Sequence, residues 1–308
     1  MSAEPNRRPD FFLAGAAKSG TTSLARYLGE HPGLFLTTPK EPNFFAFPED
    51  ARPECLGPID PERLYEVLLK YSVTSRSEYE ALFADAPAQS VRGEASVRYL
   101  YEPTTPGRIA DYDPEAKLLV LLRDPIERLH SHYHMNLKIG VEPLSLPAAL
   151  DAEDERVGAG WGWDWHYRRV GRYGEQLERY FQHFSDEQVL VLFHRDLSEN
   201  PQAVYQEACG FLGVDPSEGA PDFAHRSLVG ATPRRRWLQN LMWEDSPVKA
   251  FARRLIPAGM RQRVTRRINE SNRTRVPPVD DRLREALAPD FAEDREKLEN
   301  LLGREAPW

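Results

Sequence analysis

The chain has 308 residues, a mass of 35.3 kDa and a formal net charge of −8. With 41% hydrophobic and 29% charged residues it has the make-up of a soluble globular protein, and a compact chain of this length hides about three quarters of its unfolded surface. Two cysteines, Cys55 and Cys209, exclude a disulfide scaffold, and no run nears the roughly 18 apolar residues of a membrane-crossing helix.

Residues 1–10 are polar and lack the charged-then-apolar pattern of a secretory signal, so a cytoplasmic location is the expectation. Short apolar runs then alternate with amphipathic stretches, which predicts an α/β fold around a largely parallel sheet. The first strand is 11–14. A small-residue loop follows, then a helix over 21–30 that stops before His31-Pro32-Gly33. A second strand is predicted at 90–94. The third, Lys117–Leu122, is a continuous apolar run of the kind buried on both faces of a parallel sheet. Arg123-Asp124-Pro125 ends it, and Pro125 suits the first turn of a helix over 126–137. A fourth strand falls at 188–193, with a helix over about 201–212. The tryptophan-rich stretch 161–172 reads as irregular. Residues 235–308 read as mostly helical, with turns at Pro257 and Pro277-Pro278. The expected organisation is a single domain over 1–308, with a core at 10–240 and a helical C-terminal extension at 241–308.

Charge is unevenly spread. Residues 231–275 carry 12 Lys/Arg against 3 Asp/Glu, so the remainder is near −17. A basic region on an acidic chain suits an anionic partner, or else a solvated helical face. Nucleic acid is the weaker reading, because Trp237, Trp243 and Phe251 are not interleaved with the basic residues in a stacking pattern.

The chemistry concentrates after the first strand, at Gly15-Ala16-Ala17-Lys18-Ser19-Gly20-Thr21-Thr22-Ser23. A glycine-bearing loop between a strand and a helix N-terminus cradles phosphate, because uncommitted N–H groups and the helix dipole both favour an anion there. Lys18 adds a positive charge, and Ser19, Thr21 and Thr22 add hydroxyls. A nucleotide-triphosphatase loop would place its lysine directly after the second glycine and follow it with a Mg²⁺-binding hydroxyl. Here Lys18 precedes Gly20 by two positions. That disfavours a Mg²⁺-dependent kinase, which stays as one alternative; a non-catalytic nucleotide-binding protein is another.

Residues 11–22, FFLAGAAKSGTT, closely resemble the 5′-phosphosulfate loop of sulfotransferases that use 3′-phosphoadenosine 5′-phosphosulfate (PAPS). The run Arg123-Asp124-Pro125-Ile126-Glu127-Arg128-Leu129-His130-Ser131-His132-Tyr133 resembles that family's 3′-phosphate element. Lys40-Glu41-Pro42-Asn43-Phe44-Phe45 is similar to a segment of its heparan-type and bacterial branch, and Gly93-Glu94-Ala95-Ser96 fits less specifically. The resemblance covers about 10–240. It implies a P-loop-like three-layer α/β/α fold with a central parallel sheet and additional C-terminal helices.

It also implies transfer of a sulfuryl group from PAPS to a hydroxyl, or less commonly an amine, of a small-molecule, lipid or glycan acceptor, releasing adenosine 3′,5′-bisphosphate (PAP) without a metal. Lys18 would stabilise the departing oxygen, and Ser19, Gly20, Thr21, Thr22 and Ser23 would hold the 5′-phosphate. Arg123 and Ser131 would hold the 3′-phosphate, joined by one arginine of Arg234, Arg235 and Arg236, with Arg235 as the choice. His225, Arg226 and Gly230 begin that same basic loop. Glu41 would be the general base. A homodimer is common among such proteins. The chain departs from the heparan-type pattern at Asn43, Ala46 and Ala95, where that branch has His, Asp and Lys, so acceptor contacts are expected to differ.

Four further features remain open. Arg123 could pair with Asp124 or Glu127 instead of a nucleotide, and Arg128 is expected to pair within the fold. His130, His132 and His134 lie on one predicted helix; His130 and His134 share a face without a zinc motif, and one of the three is an alternative base. Trp161, Trp163, Trp165, His166 and Tyr167 offer either an acceptor wall or core packing.

Overall fold

The computed structural model describes residues 8–88, 90–219, 221–224, 231–233 and 273–308, with backbone alone at 231–233 and 273–275. A five-stranded parallel sheet forms the centre, in the order β2-β3-β1-β4-β5. Its strands are β1 (Phe11–Gly15), β2 (Leu34–Leu36), β3 (Val91–Ala95), β4 (Lys117–Leu122) and β5 (Val189–Phe193). Four match the expected strands to within two residues at each end. The edge strand β2 was not anticipated, because three residues after Pro32-Gly33 are too few to show a period of two.

Alternation along the central strands builds the layers. Phe12, Ala14, Leu118, Val120 and Leu122 face one side, against Tyr99, Tyr173, Leu177 and Tyr180. Phe11, Leu13, Leu119 and Leu121 face the other, against Leu24, Tyr27, Leu28 and Leu212. Both sides are covered, so β1 and β4 read as unbroken apolar runs. At Gly93 a Cβ would stand 2.2 Å from Phe11 Cζ, so only glycine lets that ring cross β3.

The helices α1 (Thr21–Gly29), α2 (Arg76–Ala81), α3 (Thr105–Tyr112), α5 (Tyr173–Phe181) and α6 (Pro201–Leu212) cover the sheet, while α4 (Pro125–Ile139) packs in a third cluster with Trp165 and Tyr167. Asp124 caps α4 by accepting from the amides of Ile126 and Glu127, and Pro125 fills the first helical position. Gly140 ends α4 at φ 76°, in the left-handed region. The stretch 161–172 is irregular as expected, broken by short 3-10 turns at Trp163–Trp165 and Arg169–Gly171.

Of the stretch 235–308, the described residues 273–308 are mostly helical as expected, with one short strand at their start. Strand β6 (Ala231–Pro233) pairs antiparallel with β7 (Arg273–Arg275), and β6 lies against α4. Helices α7 (Asp281–Leu287) and α8 (Pro289–Leu302) follow. They are built into the core. Asp294 of α8 accepts from the first amides of α5, Gly174 and Glu175, at 2.9 Å each, and Trp308 packs edge-on against Tyr173 and Phe193. Pro257, Trp237, Trp243 and Phe251 lie outside the described residues.

Candidate active site

Three charged side chains gather at the C-terminal edge of the sheet, where open α/β sheets bind ligands. Lys18 follows β1. Arg123 follows β4. Glu41 is tied to the end of β3 through its amide, which donates to Ala95 O at 3.0 Å. Because β1 lies between β3 and β4, Lys18 stands in the middle of the three.

The β1–α1 loop turns on two left-handed residues, Lys18 (φ 69°) and Gly20 (φ 98°). No side chain caps α1 and no acidic residue enters its first turn. Among the described residues, the amides of Gly20, Thr21 and Thr22 make no hydrogen bond, so this end of the helix offers an anion site. Ser19 and Ser23 lie in the same loop and first helical turn. Ser19 is fully buried beside Tyr173, and its amide donates inward to Ala16 O at 3.3 Å. Ser23 commits its amide to Gly20 O at 2.9 Å. Both shape the cradle; the open donors are the amides from Gly20 to Thr22.

Lys40 was missed as a site residue. Its ammonium crosses to the hydroxyls of Thr21 (3.4 Å) and Thr22 (3.2 Å) and pairs with Glu41 Oε1 at 3.2 Å. It thus joins the base candidate to the anion cradle. Its place in the Lys-Glu-Pro run was visible, but only the packing of that segment against α1 reveals the contact.

Lys18 Nζ donates to the thioether of Met135 at 3.4 Å, a weak acceptor. Burial first, then the charges of Lys138, Arg123 and Lys40, lower the ammonium to about 8, against a raising effect from Glu41. Ser131, Met135 and Lys138 follow i, i+4, i+7 spacing on α4, so Ser131 occupies the helix face that looks toward Lys18. Arg123 is ion-paired with Glu127 (3.0 Å), and its Nη1 donates to Lys18 O at 3.3 Å. Of its two expected partners, Asp124 is taken instead by Arg284 of α7, which also reaches Glu127 at 3.5 Å. Tyr173 donates to Arg123 O at 2.9 Å.

Arg128 is buried and pairs within the fold as expected, donating to Tyr167 O and His132 Nδ1 at 2.5 and 3.1 Å. A guanidinium only donates, so His132 Nδ1 accepts and the ring's proton sits on Nε2. Burial and the Arg128 charge hold this imidazole neutral, well below its usual range. With one nitrogen occupied and the other already protonated, His132 cannot serve as a base. His130 and His134 face each other through their Nε2 atoms at 3.1 Å.

The aromatic segment divides. Trp165 and Tyr167 are fully buried in the core, and Trp161 packs edge-on against Trp165. His166 Nδ1 bonds Tyr101 OH at 2.7 Å. Trp163 is half-buried between Arg98 and His132. The side chains of Arg234, Arg235, Arg236, His225 and Arg226, and Gly230, lie outside the described residues. Among the described residues, no three His, Cys, Asp or Glu side chains converge as a metal site requires, and no helix is long and apolar enough to cross a membrane.

The sulfotransferase domain family matches residues 8–272 of this chain. The chain belongs to the sulfotransferase family. A crystal structure of a sulfotransferase from Alicyclobacillus acidocaldarius is 31% identical, covers 97% of both chains and superposes with a TM-score of 0.73. The bifunctional heparan sulfate N-deacetylase/N-sulfotransferase 3 of Mus musculus is 24% identical over 310 residues, 97% of this chain. The corresponding enzyme 1 of Caenorhabditis elegans is 23% identical over 299 residues. The chain spans about 30% of the length of these curated relatives. With a lysine-bearing loop at the end of β1, this member of the family has the three-layer α/β/α architecture that the resemblance implied.

Proposed function

We propose that the protein transfers a sulfuryl group from PAPS to a hydroxyl or amine of a small-molecule, lipid or glycan acceptor, releasing PAP. The observation that carries this reading is the order of charges along the sheet edge: Glu41, then Lys18, then Arg123, at the ends of β3, β1 and β4. A base at one side, a central ammonium and a phosphate-gripping guanidinium at the other suit in-line displacement between acceptor and nucleotide.

The roles follow from charge. The amides of Gly20 to Thr22, with Lys40 and the Thr21 and Thr22 hydroxyls, hold the 5′-phosphate. Arg123, Ser131 and an arginine of the 234–236 run, taken as Arg235, hold the 3′-phosphate. As the bond from sulfur to the bridging oxygen breaks, negative charge grows on that oxygen. The Lys18 ammonium stabilises it more in the transition state than before. Glu41 takes the acceptor proton as the new bond to sulfur forms. The decisive experiment is incubation with sulfur-labelled PAPS and a panel of alcohols, phenols, amines, lipids and glycans, read as the mass gain of one SO₃. Transfer to none of them, together with tight binding of ATP-Mg²⁺ and none of PAP, would replace this reading with the kinase alternative.

Two predictions follow from the nucleotide side. Arg123→Ala should weaken PAP binding about 10–100-fold, the worth of a charge-assisted hydrogen bond pair. Calorimetry checks this, and an unchanged dissociation constant would contradict the 3′-phosphate role. PAP binding near pH 8 should also take up protons. Lys18 titrates at about 8 among three cations, and an arriving polyanion raises that value. Calorimetry in two buffers of different ionisation enthalpy measures the uptake, which should vanish in Lys18→Ala.

A further inference from the structure

A buried carboxylate sits behind Glu41 that the transfer chemistry does not touch. Glu94, at the end of β3, is fully buried. Among the described residues no Lys, Arg or His pairs with it. Three hydroxyls donate to it instead: Tyr99 to Oε1 at 2.6 Å, Tyr79 to Oε1 at 2.9 Å and Ser96 to Oε2 at 2.7 Å. Burying a charge without a cation is costly, and such a group persists where hydrogen bonds over-determine it.

Two of those hydroxyls are relays. Ser96 Oγ accepts from the Asn43 amide at 3.0 Å, and Tyr99 OH accepts from the Phe45 amide at 3.3 Å. A backbone N–H can only donate, so both hydroxyl hydrogens must turn toward Glu94. Every member is satisfied when Glu94 is ionised. The segment held in this way contains two non-glycine residues in the left-handed region, Glu41 (φ 66°) and Asn43 (φ 52°). Such a backbone persists only where its surroundings impose it. The rest of the clamp is local: Asn43 Nδ2 donates to Glu41 O at 2.9 Å and to Ser72 Oγ at 3.0 Å.

We infer that Glu94 is the positioning residue for Glu41: through Ser96 and Tyr99 its carboxylate fixes the backbone of residues 41–45, and so the direction from which the Glu41 carboxylate meets the acceptor. The inference rests on the proposed role of Glu41 as base. Glu94 itself touches no substrate. It also gives the site a second pH dependence. Burial raises the Glu94 carboxyl to about 7, so mild acid removes the ionised form that completes the network. The groups facing it are Tyr79 from α2, Tyr99 and Ser96 from the turn after β3, and Glu41, whose charge also raises it. Both phenols are pushed well above their usual range and stay protonated.

Hydrogen exchange of the full chain, with Glu94→Gln and Ser96→Ala, tests the relay. Glutamine keeps the size but turns one acceptor into a donor, so one hydroxyl loses its partner. Exchange at Asn43 and Phe45 should quicken about 10–100-fold in Glu94→Gln, the loss expected for a hydrogen bond to a charged group, while β4 is unaffected. In Ser96→Ala the effect should centre on Asn43. PAP affinity should stay within error of wild type, turnover should fall by a similar factor, and the acid limb near pH 7 should disappear from the Glu94→Gln profile. If Glu94→Gln loosens β4 as well, Ser96→Ala, which leaves the carboxylate intact, decides. Unchanged exchange at Asn43 in Ser96→Ala, or wild-type turnover in a folded Glu94→Gln, overturns the inference. Failure of the wild type to bind PAP would instead overturn the sulfuryl-transfer reading, and the exchange result would still judge the relay.

Discussion

Lys18→Ala is expected to lower turnover about 10²–10³-fold, the cost of removing one preorganised group from a developing oxyanion. PAP affinity should change far less, because the amides of Gly20 to Thr22, Lys40 and Arg123 remain. The ammonium is well suited to this task. Its partner is a thioether, so little must be broken before it turns to the bridging oxygen. Its loss should not unfold the protein. The folded value of about 8 lies below the usual 10.5 for lysine, so carrying the charge in the fold costs free energy below pH 8. That cost fades as the pH rises from 8 toward 10.5. The variant should therefore melt no lower than wild type at pH 7, and its advantage should shrink in alkali. The same titration sets an alkaline limit on the wild type: kcat/KM should fall as the pH passes about 8. Full turnover in Lys18→Ala would remove the lysine from the chemistry.

Glu41→Gln is expected to lower turnover about 10²–10⁴-fold with an alcohol acceptor, the usual contribution of a general base. An alcohol is too weak an acid to lose its proton unaided at neutral pH. A neutral amine attacks through a free lone pair, so the same variant should lose less with an amine acceptor. Comparing the two losses on matched acceptors would separate O- from N-transfer. Glutamine keeps the left-handed backbone and the hydrogen bond from the residue 41 amide to Ala95 O, so binding of PAP should survive. Wild-type rates with an alcohol would leave the paired His130 and His134 as the remaining bases on α4, since Arg128 fixes the tautomer of His132.

The donor half of the site was legible because its signals are local. A strand run, a small-residue loop and a helix start place Lys18 and the free amides within ten residues of one another. The Arg-Asp-Pro junction carries its own cap, so Arg123 had to stand at the end of β4. The local signal could not show that Ser19 is buried beside Tyr173, which comes from a helix more than 150 residues away. The acceptor half was less legible. Lys40 and Glu94 act through partners on other elements, Thr21 and Thr22 of α1 and Tyr79 of α2, and no spacing within the segment announces them.

By itself the sequence determined four of the five strands of the sheet, the phosphate loop with its lysine, and the capped turn that carries Arg123. Each depends on backbone conformation and apolar period within a few residues. Tertiary structure alone decided that β1 lies between β3 and β4, which lines up Glu41, Lys18 and Arg123. It also brought Arg284 of α7 to Asp124 and Glu127, and set the Glu94 network behind the base. Strand order and long-range ion pairs are settled by which surfaces bury one another when the whole chain packs, and that information is not local to any segment.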